Sequence, residues 1–280
     1  MKSFDVIKAT GEKERFDLSK LKRSMSNAGA DDKTVRKVVR ALEPKFHDGI
    51  TTKELYREAY KLLSHFSEYS AGRYKLKEAI LELGPSGYPF EEFIGELLRR
   101  HGYNTQVGVI TPGKCISHEI DVIADNDSHR YMIECKFHNR QNHHCAVSIT
   151  LYIQARFEDV KYRWEEDAAR NKEYIGWLVT NTRFTSEAIK YGECMGLKLL
   201  SWSYPEGKAL KDLITEVNLH PVTCLRNLTK NEKHQLLKHD IVFCQQLLEK
   251  REILDLLRFN HNKKSLILNE AENICTVESA

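Results

Sequence analysis

Two short segments carry charged side chains where apolar ones would be expected. In Ile120-Asp121-Val122-Ile123 and Met132-Ile133-Glu134-Cys135-Lys136, separated by a turn at Asp125-Asn126-Asp127-Ser128, Asp121 and Glu134 interrupt strongly apolar runs. Read as adjacent strands, the runs let Asp121 lie beside Glu134. Strand alternation puts Glu134 and Lys136 on one face. Two carboxylates and an ammonium then converge at one end of a sheet. Carboxylates suit Mg²⁺ or Mn²⁺, hard cations served by oxygen ligands. An ion held by Asp121 and Glu134 would lower the pKa of a bound water and stabilise charge on a phosphate oxygen. Lys136 would position the attacking water or help deprotonate it. The competing reading, ordinary solvent-facing charges, fits poorly with so apolar a setting, because buried strands rarely carry Glu and Lys on one face without a reason.

The elements that must place these residues form three segments. Residues 1–85 begin with two short strands, VIKAT and GEKERFD, around a Thr10-Gly11 turn. Asp17 or Ser19 caps a helix beginning near Leu21, and Asp31 or Asp32 caps a second that Pro44 stops. Thr51 or Thr52 caps a third, where Leu55, Ala59, Leu62, Leu63 and Phe66 recur at helical spacing. A fourth ends before Gly84-Pro85. GPSGYP, residues 84–89, is the strongest boundary signal.

Residues 86–204 change to a mixed pattern. It runs helix FEEFIGELLRRHG, strand NTQVGVI, turn TPGK, strands SHEIDVIA and RYMIECKF, a long helix over 148–171, strand IGWLVT, helix TSEAIKYGECMG and strand LKLLSW. That order predicts a three-layer α/β core. Residues 205–280 read as a helical region ending in a poorly ordered tail, NEAENICTVESA. LTKNEKHQLLKHDIVFCQQLL lacks the central Gly of a helix-hairpin-helix, so packing or dimerisation is its default reading. Lys230, Lys233, Lys238, Lys250 and Arg251 are possible DNA contacts, although such charges usually solvate a face. The fold class expected overall is α+β and multidomain.

The stretch from Gly87 to Trp202, with GYPFEEFIGELLRRHGYNTQV, HEIDVIA, YMIECKF and VTNTRFTSEAIKYGECMGLKLLSW, resembles the Mrr-like restriction endonucleases of the PD-(D/E)xK nuclease superfamily. The resemblance implies a metal-dependent endodeoxyribonuclease with Asp121, Glu134 and Lys136 in the D, E and K places. It also implies an upstream helical Glu, matched by Glu91, and a polar residue on the following helix, matched by Gln154. The Pro that classically precedes the first Asp is Ile120 here. The insert HNRQNHHC is unusual, and its His138, His143, His144 and Cys145 match no standard zinc spacing. A solvated loop or a DNA-backbone contact is the expectation there.

The N-terminal stretches VIKATGEKERFDLSKLKRSM, DGITTKELYREAY and AGRYKLKEAI resemble the ATP-cone, a nucleotide-binding regulatory module. On this resemblance residues 1–85 are a mostly helical ATP-cone with a small β-hairpin. Val6, Lys8, Glu14, Asp17, Lys20, Leu21, Thr52, Leu55 and Tyr56 match its nucleotide-contacting positions. The residues themselves supply phosphate-binding charge at Lys8, Lys20 and Lys22, and helix N-termini near Leu21 and Thr52. No GxxxxGK[ST] loop occurs, so ATP or dATP is expected to be sensed rather than used as motor fuel. The Arg that usually follows the first Lys is Ala9. A cone that only mediates oligomer contacts is the competing reading.

Composition sets the frame. The 280 residues are 41% hydrophobic and 30% charged, as in a folded globular chain. A net charge of +3 gives no bulk case for a nucleic-acid partner. No apolar run approaches the ~20 residues that span a bilayer, and the charged N-terminus lacks a signal-peptide core. Seven scattered cysteines without a CxxC pair suit reduced thiols in a cytoplasmic protein. The expected function is a nucleotide-regulated, Mg²⁺-dependent DNA endonuclease, at least dimeric, in prokaryotic defence against foreign DNA. The alternative is a catalytically silent, nucleotide-responsive regulatory or DNA-binding protein with a nuclease fold.

Overall fold

The computed structural model describes residues 4–8, 11–66, 70–71, 74–140, 143–166 and 172–276. The chain forms two compact units. One joins Met1–Ala79 with Val222–Gln235 and Cys244–Ala280; the other is Ile80–Pro221 with Leu236–Phe243. The three consecutive segments expected from sequence are thus regrouped, most of the C-terminal region joining the N-terminal one.

In the first unit, β1 (Asp5–Ile7) pairs antiparallel with β2 (Lys13–Arg15) and parallel with β3 (Ile50–Thr51). Gly11, with φ +85°, lies in the connecting turn, where the Lys8 amide donates to the Glu12 carbonyl at 2.9 Å. Thr10, the other residue of the expected turn, lies outside the described residues. Phe4, Phe16 and Phe46 stack beneath this sheet, with ring centroids 4.6–5.4 Å apart.

Asp17 caps the helix Leu18–Asn27, its carboxylate accepting the Ser19 amide at 2.8 Å, and Asp31 caps Asp32–Leu42 through the Thr34 amide. Thr51 and Glu54 form a reciprocal capping box on the helix Thr52–Phe66. The core closes with Met25, Val38, Leu42, Ala59 and Leu63 fully buried. The expected fourth helix falls partly outside the described residues; Leu76–Leu81 of it is helical.

In the second unit a five-stranded sheet has the order β10-β8-β6-β5-β4. Its strands are β4 (Asn104–Pro112), β5 (Ser117–Asp125), β6 (His129–Lys136), β8 (Glu173–Thr180) and β10 (Lys198–Leu200). β4, β5 and β6 form an antiparallel meander, and β6, β8 and β10 run parallel. The helix Tyr88–Arg100 packs on β4, β5 and β6, and Thr105 Oγ1 donates to the Gly95 carbonyl. On the other face Ile123, Met132 and Leu178 share a core with Ile153, Phe157 and Val160 of the helix Val147–Glu166. The helix Ser186–Cys194, capped by Thr185, completes the second helical layer.

Three details differ from the sequence reading. Thr111 and Pro112 belong to β4, so the expected TPGK turn shifts to Gly113–Ile116. There the Asp159 carboxylate accepts the Cys115 amide at 2.8 Å and the His118 ring at 2.8 Å. The insert after Lys136 ends in a short strand, β7 (His144–Cys145), paired parallel with β9 (Arg183–Phe184) beyond β8; it is absent from the sequence reading because strands of two residues carry no periodicity. The expected tail is instead a helix, His261–Cys275. It buries Ile267, Ala271 and Ile274, and its Glu270 carboxylate accepts the Arg226 and Asn227 amides. Residues 277–280 lie outside the described residues.

Candidate active site

The site lies where the sheet stops being regular. β5 and β6 pair from Asp125–Arg130 as far as Val122–Ile133, and one step further Asp121 and Glu134 face each other without backbone pairing. There the Asp121 side chain takes over: Oδ2 accepts the Cys135 amide at 2.7 Å. The β4–β5 register also skips Gly108, the residue opposite Asp121, which has φ +65°. Before Gly108, Val107 lies against Gly95 of the Tyr88–Arg100 helix. After it, Val109 packs with Ile120 into the core of the opposite face. The pleat therefore changes phase at Gly108 and Asp121, where one residue of each strand drops out of the ladder while the register continues.

Glu134 is 4% exposed, and both its carboxylate oxygens are held by cations. Lys136 Nζ donates to Oε1 at 2.6 Å and Arg156 Nη1 to Oε2 at 2.6 Å. Arg156 Nη2 also donates to the Glu119 carbonyl. Asp121 and Glu91 are less well compensated. Burial, then the charge of Glu134, pushes the Asp121 carboxyl up to about 6. Burial, then the charges of Asp121, Glu119 and Glu134, pushes Glu91 up to about 7. Burial would lower the Lys136 ammonium, but the hydrogen bond and charge of Glu134 outweigh it and raise its pKa. The Cys135 thiol, fully enclosed, is held well above its ordinary range by burial.

The structure thus brings Asp121, Glu134 and Lys136 together and places Glu91 within their field. Gln154 is buried on the Val147–Glu166 helix, with Nε2 donating to Glu158 at 2.7 Å and Oε1 enclosed without a hydrogen-bond partner. Sequence reasoning missed Arg156, which no motif singles out. It also missed the segment that fixes the backbone beyond Lys136. Thr180 Oγ1 donates to the Lys136 carbonyl at 2.7 Å, and the Asn181 side chain accepts from the His138 amide at 2.8 Å and donates to its carbonyl at 2.7 Å. The only sequence signal for that clamp was a polar Thr-Asn-Thr run closing an apolar strand.

The residues fit a divalent ion. Burial first, and repulsion among the carboxylates second, raises the Asp121 and Glu91 carboxyls. Asp121 Oδ1 and the Glu134 oxygens are hard donors. Among the described residues no three His, Cys, Asp or Glu side chains form a cage. Mg²⁺ needs none, since it usually binds through one or two carboxylates and keeps several waters. In the His-rich insert, the rings of His138 and His143 stack at 5.4 Å and Cys145 is buried. Gln141 and Asn142 lie outside the described residues.

In the first unit, Glu14 bridges Lys8 and Lys20 at 2.6 Å each, and these two cations hold its carboxyl down at about 2. Val6 and Leu55 are buried beneath the small sheet, and Leu21 lies in the helical core. Asp17 is engaged in its cap. Tyr56 stacks on Tyr74 at 4.6 Å and donates to its carbonyl. Thr52 opens the third helix.

Residues 220–275 match the family described as AF1548-like, C-terminal. An uncharacterized protein of Archaeoglobus fulgidus is 36% identical over 183 residues, 65% of this chain and 99% of the relative. The chain belongs to the AF1548-like family. A solved structure, described as that of a protein of unknown function, AF1548, is 35% identical with a TM-score of 0.56, covering 68% of this chain and 98% of its own. Residues 84–213 of this AF1548-like chain match the family described as restriction endonuclease, so the sheet carrying Asp121, Glu134 and Lys136 is a restriction-endonuclease domain. Among the described residues no helix is long and apolar enough to cross a membrane.

Proposed function

We propose that the protein is a Mg²⁺- or Mn²⁺-dependent endonuclease that hydrolyses DNA phosphodiester bonds at Asp121, Glu134 and Lys136. The observation that carries this reading is the meeting of those three side chains where the β5–β6 ladder opens, inside a domain that matches restriction endonucleases. Asp121 and Glu134 would hold the ion, which would supply Lewis-acid stabilisation of phosphate charge. Lys136, kept as an ammonium, orients the nucleophilic water and the phosphate. Glu91, with a pKa near neutrality, is suited to hold or pass a proton beside Asp121. Gln154, the polar residue that the resemblance places on this helix, has an enclosed Oε1 without a hydrogen-bond partner. Defence against foreign DNA is the role that suits this chemistry.

The first unit is proposed as an ATP-cone-like regulatory module for ATP or dATP. Its small sheet on a helical core, and the cations Lys8 and Lys20 next to the helix capped by Asp17, support that reading. A nucleotide acts through two global states that it binds unequally. A change in subunit packing is the simplest such pair, since duplex cleavage calls for two single-site copies.

Plasmid cleavage with Mg²⁺ or Mn²⁺, with and without ATP and dATP, tests the whole reading. Wild-type protein is expected to nick or linearise the plasmid, and Asp121→Ala, Glu134→Ala and Lys136→Ala to be inert. Cleavage by Glu134→Ala at the wild-type rate would show that the site lies elsewhere.

A further inference from the structure

We propose that Arg156 is a resident counter-cation, occupying the Glu134 oxygen that a divalent ion would take and giving way when the ion arrives. This rests on the metal-site reading above. The argument starts from Glu134, a carboxylate 4% exposed in the middle of a sheet. A charge so enclosed destabilises the fold unless it is compensated. Lys136 neutralises Oε1 and Arg156 neutralises Oε2, each at 2.6 Å. Lys136 belongs to the same strand and reaches Glu134 from two residues away. Arg156 comes from a different element, near the middle of the Val147–Glu166 helix, and is tied there through a second acceptor, the Glu119 carbonyl. The planar fork of Arg spans two such acceptors at once; the single ammonium of Lys does so poorly.

The consequence is competition. An ion that uses Glu134 Oε2 must break the guanidinium contact, so part of its binding energy goes into displacing Arg156. The guanidinium has a place to go: it already lies 5.6 Å from the ring centroid of Tyr152, one helical turn away and 57% exposed. Once released it is a free fork beside the site, of the geometry that receives phosphate oxygens bidentately. Arg156 is on this account a positioning residue whose effect appears in ion affinity as well as in turnover.

Mn²⁺ titrations of the full-length protein, followed by the paramagnetic resonance signal of free Mn²⁺, test this without any substrate. Arg156→Gln is expected to bind Mn²⁺ about tenfold tighter than wild type, the scale of one charge-assisted hydrogen bond. Arg156→Lys keeps the charge and the helix but lacks the fork, and is expected to tighten binding to a smaller degree. Equal or weaker affinity in Arg156→Gln overturns the proposal. Wild-type affinity in Arg156→Lys, with tightening confined to Arg156→Gln, reduces the effect to net charge and overturns displacement. If wild type binds and cleaves while neither variant tightens, only this inference fails. If no form binds Mn²⁺, the metal-site reading fails with it.

Discussion

Asp121 holds the backbone of Cys135: its Oδ2 accepts the Cys135 amide at 2.7 Å, replacing the ladder hydrogen bond that the two strands give up at that step. One side chain therefore has two jobs, closing the sheet and presenting its other oxygen to the site.

Those two jobs separate by substitution. Asp121→Asn retains an acceptor for the Cys135 amide, so its melting temperature is expected not to fall below wild type while cleavage falls by at least about 10²-fold. Asp121→Ala leaves the amide unpaired and is expected to cost about 1–3 kcal/mol as well. Thermal melts beside plasmid cleavage check both. Full activity in Asp121→Asn would remove Asp121 from the chemistry.

The raised carboxyl of Asp121 makes a stability prediction with a definite sign. Its folded pKa of about 6 exceeds the ordinary 3.8. The protonated form is therefore favoured by folding, and that contribution is lost as pH rises through about 6. In chelator-treated protein, Asp121→Asn is expected to stabilise relative to wild type at pH 8 and to lose that advantage near pH 4. Melting curves at the two pH values decide it; a pH-independent difference contradicts the assigned burial effect.

Asn181 is expected to govern Lys136 from a distance. Asn181→Ala removes both hydrogen bonds to the His138 backbone, two residues beyond Lys136. Turnover should fall with little change in DNA affinity, and amide exchange at 136–138 should accelerate. Unaltered exchange there would mean the clamp is dispensable.

Asp159→Ala should loosen the β4–β5 turn. The carboxylate holds the Cys115 amide and the His118 ring, and the His118 hydrogen bond keeps its pKa down at about 2. Faster hydrogen exchange at 113–118 is the expected result, with the Asp159 carboxylate's contribution present above pH 4 and lost as pH falls toward about 2.

In the first unit, Glu14 holds Lys8 and Lys20, the two cations proposed to receive a triphosphate. Glu14→Gln is therefore expected to tighten ATP or dATP binding in calorimetry, and Lys8→Ala to weaken it. Mass photometry with and without nucleotide should show a shift in oligomer distribution. No heat with either nucleotide, in wild type and in Glu14→Gln, would leave the module without a ligand.

Much of this was legible in local pattern. Apolar runs bounded by turn residues located β5 and β6, and strand alternation put Glu134 and Lys136 on one face. The 3.6 period and the cap candidates Asp17 or Ser19, Asp31 or Asp32 and Thr51 or Thr52 located the first three helices, because a cap is satisfied within three residues of itself, and the structure selects Asp17, Asp31 and Thr51. Local reasoning failed at the C-terminal helix His261–Cys275. Its buried face is apolar at Ile267, Ala271 and Ile274, yet the polar residues between hide the stripe and the Glu270 contact closes over 43 and 44 residues.

What the sequence by itself determined is which side chains can do chemistry and which short elements carry them, since both follow from residue type and near-neighbour spacing. Only the tertiary structure decided that the pleat changes phase at Gly108 and Asp121, that Arg156 reaches Glu134 across 22 residues, and that Asn181 clamps His138 across 43. It also decided that the chain's last helices share a unit with its first. Each of these depends on which distant surfaces are buried together, and burial is a property of the whole packed chain that no local spacing encodes.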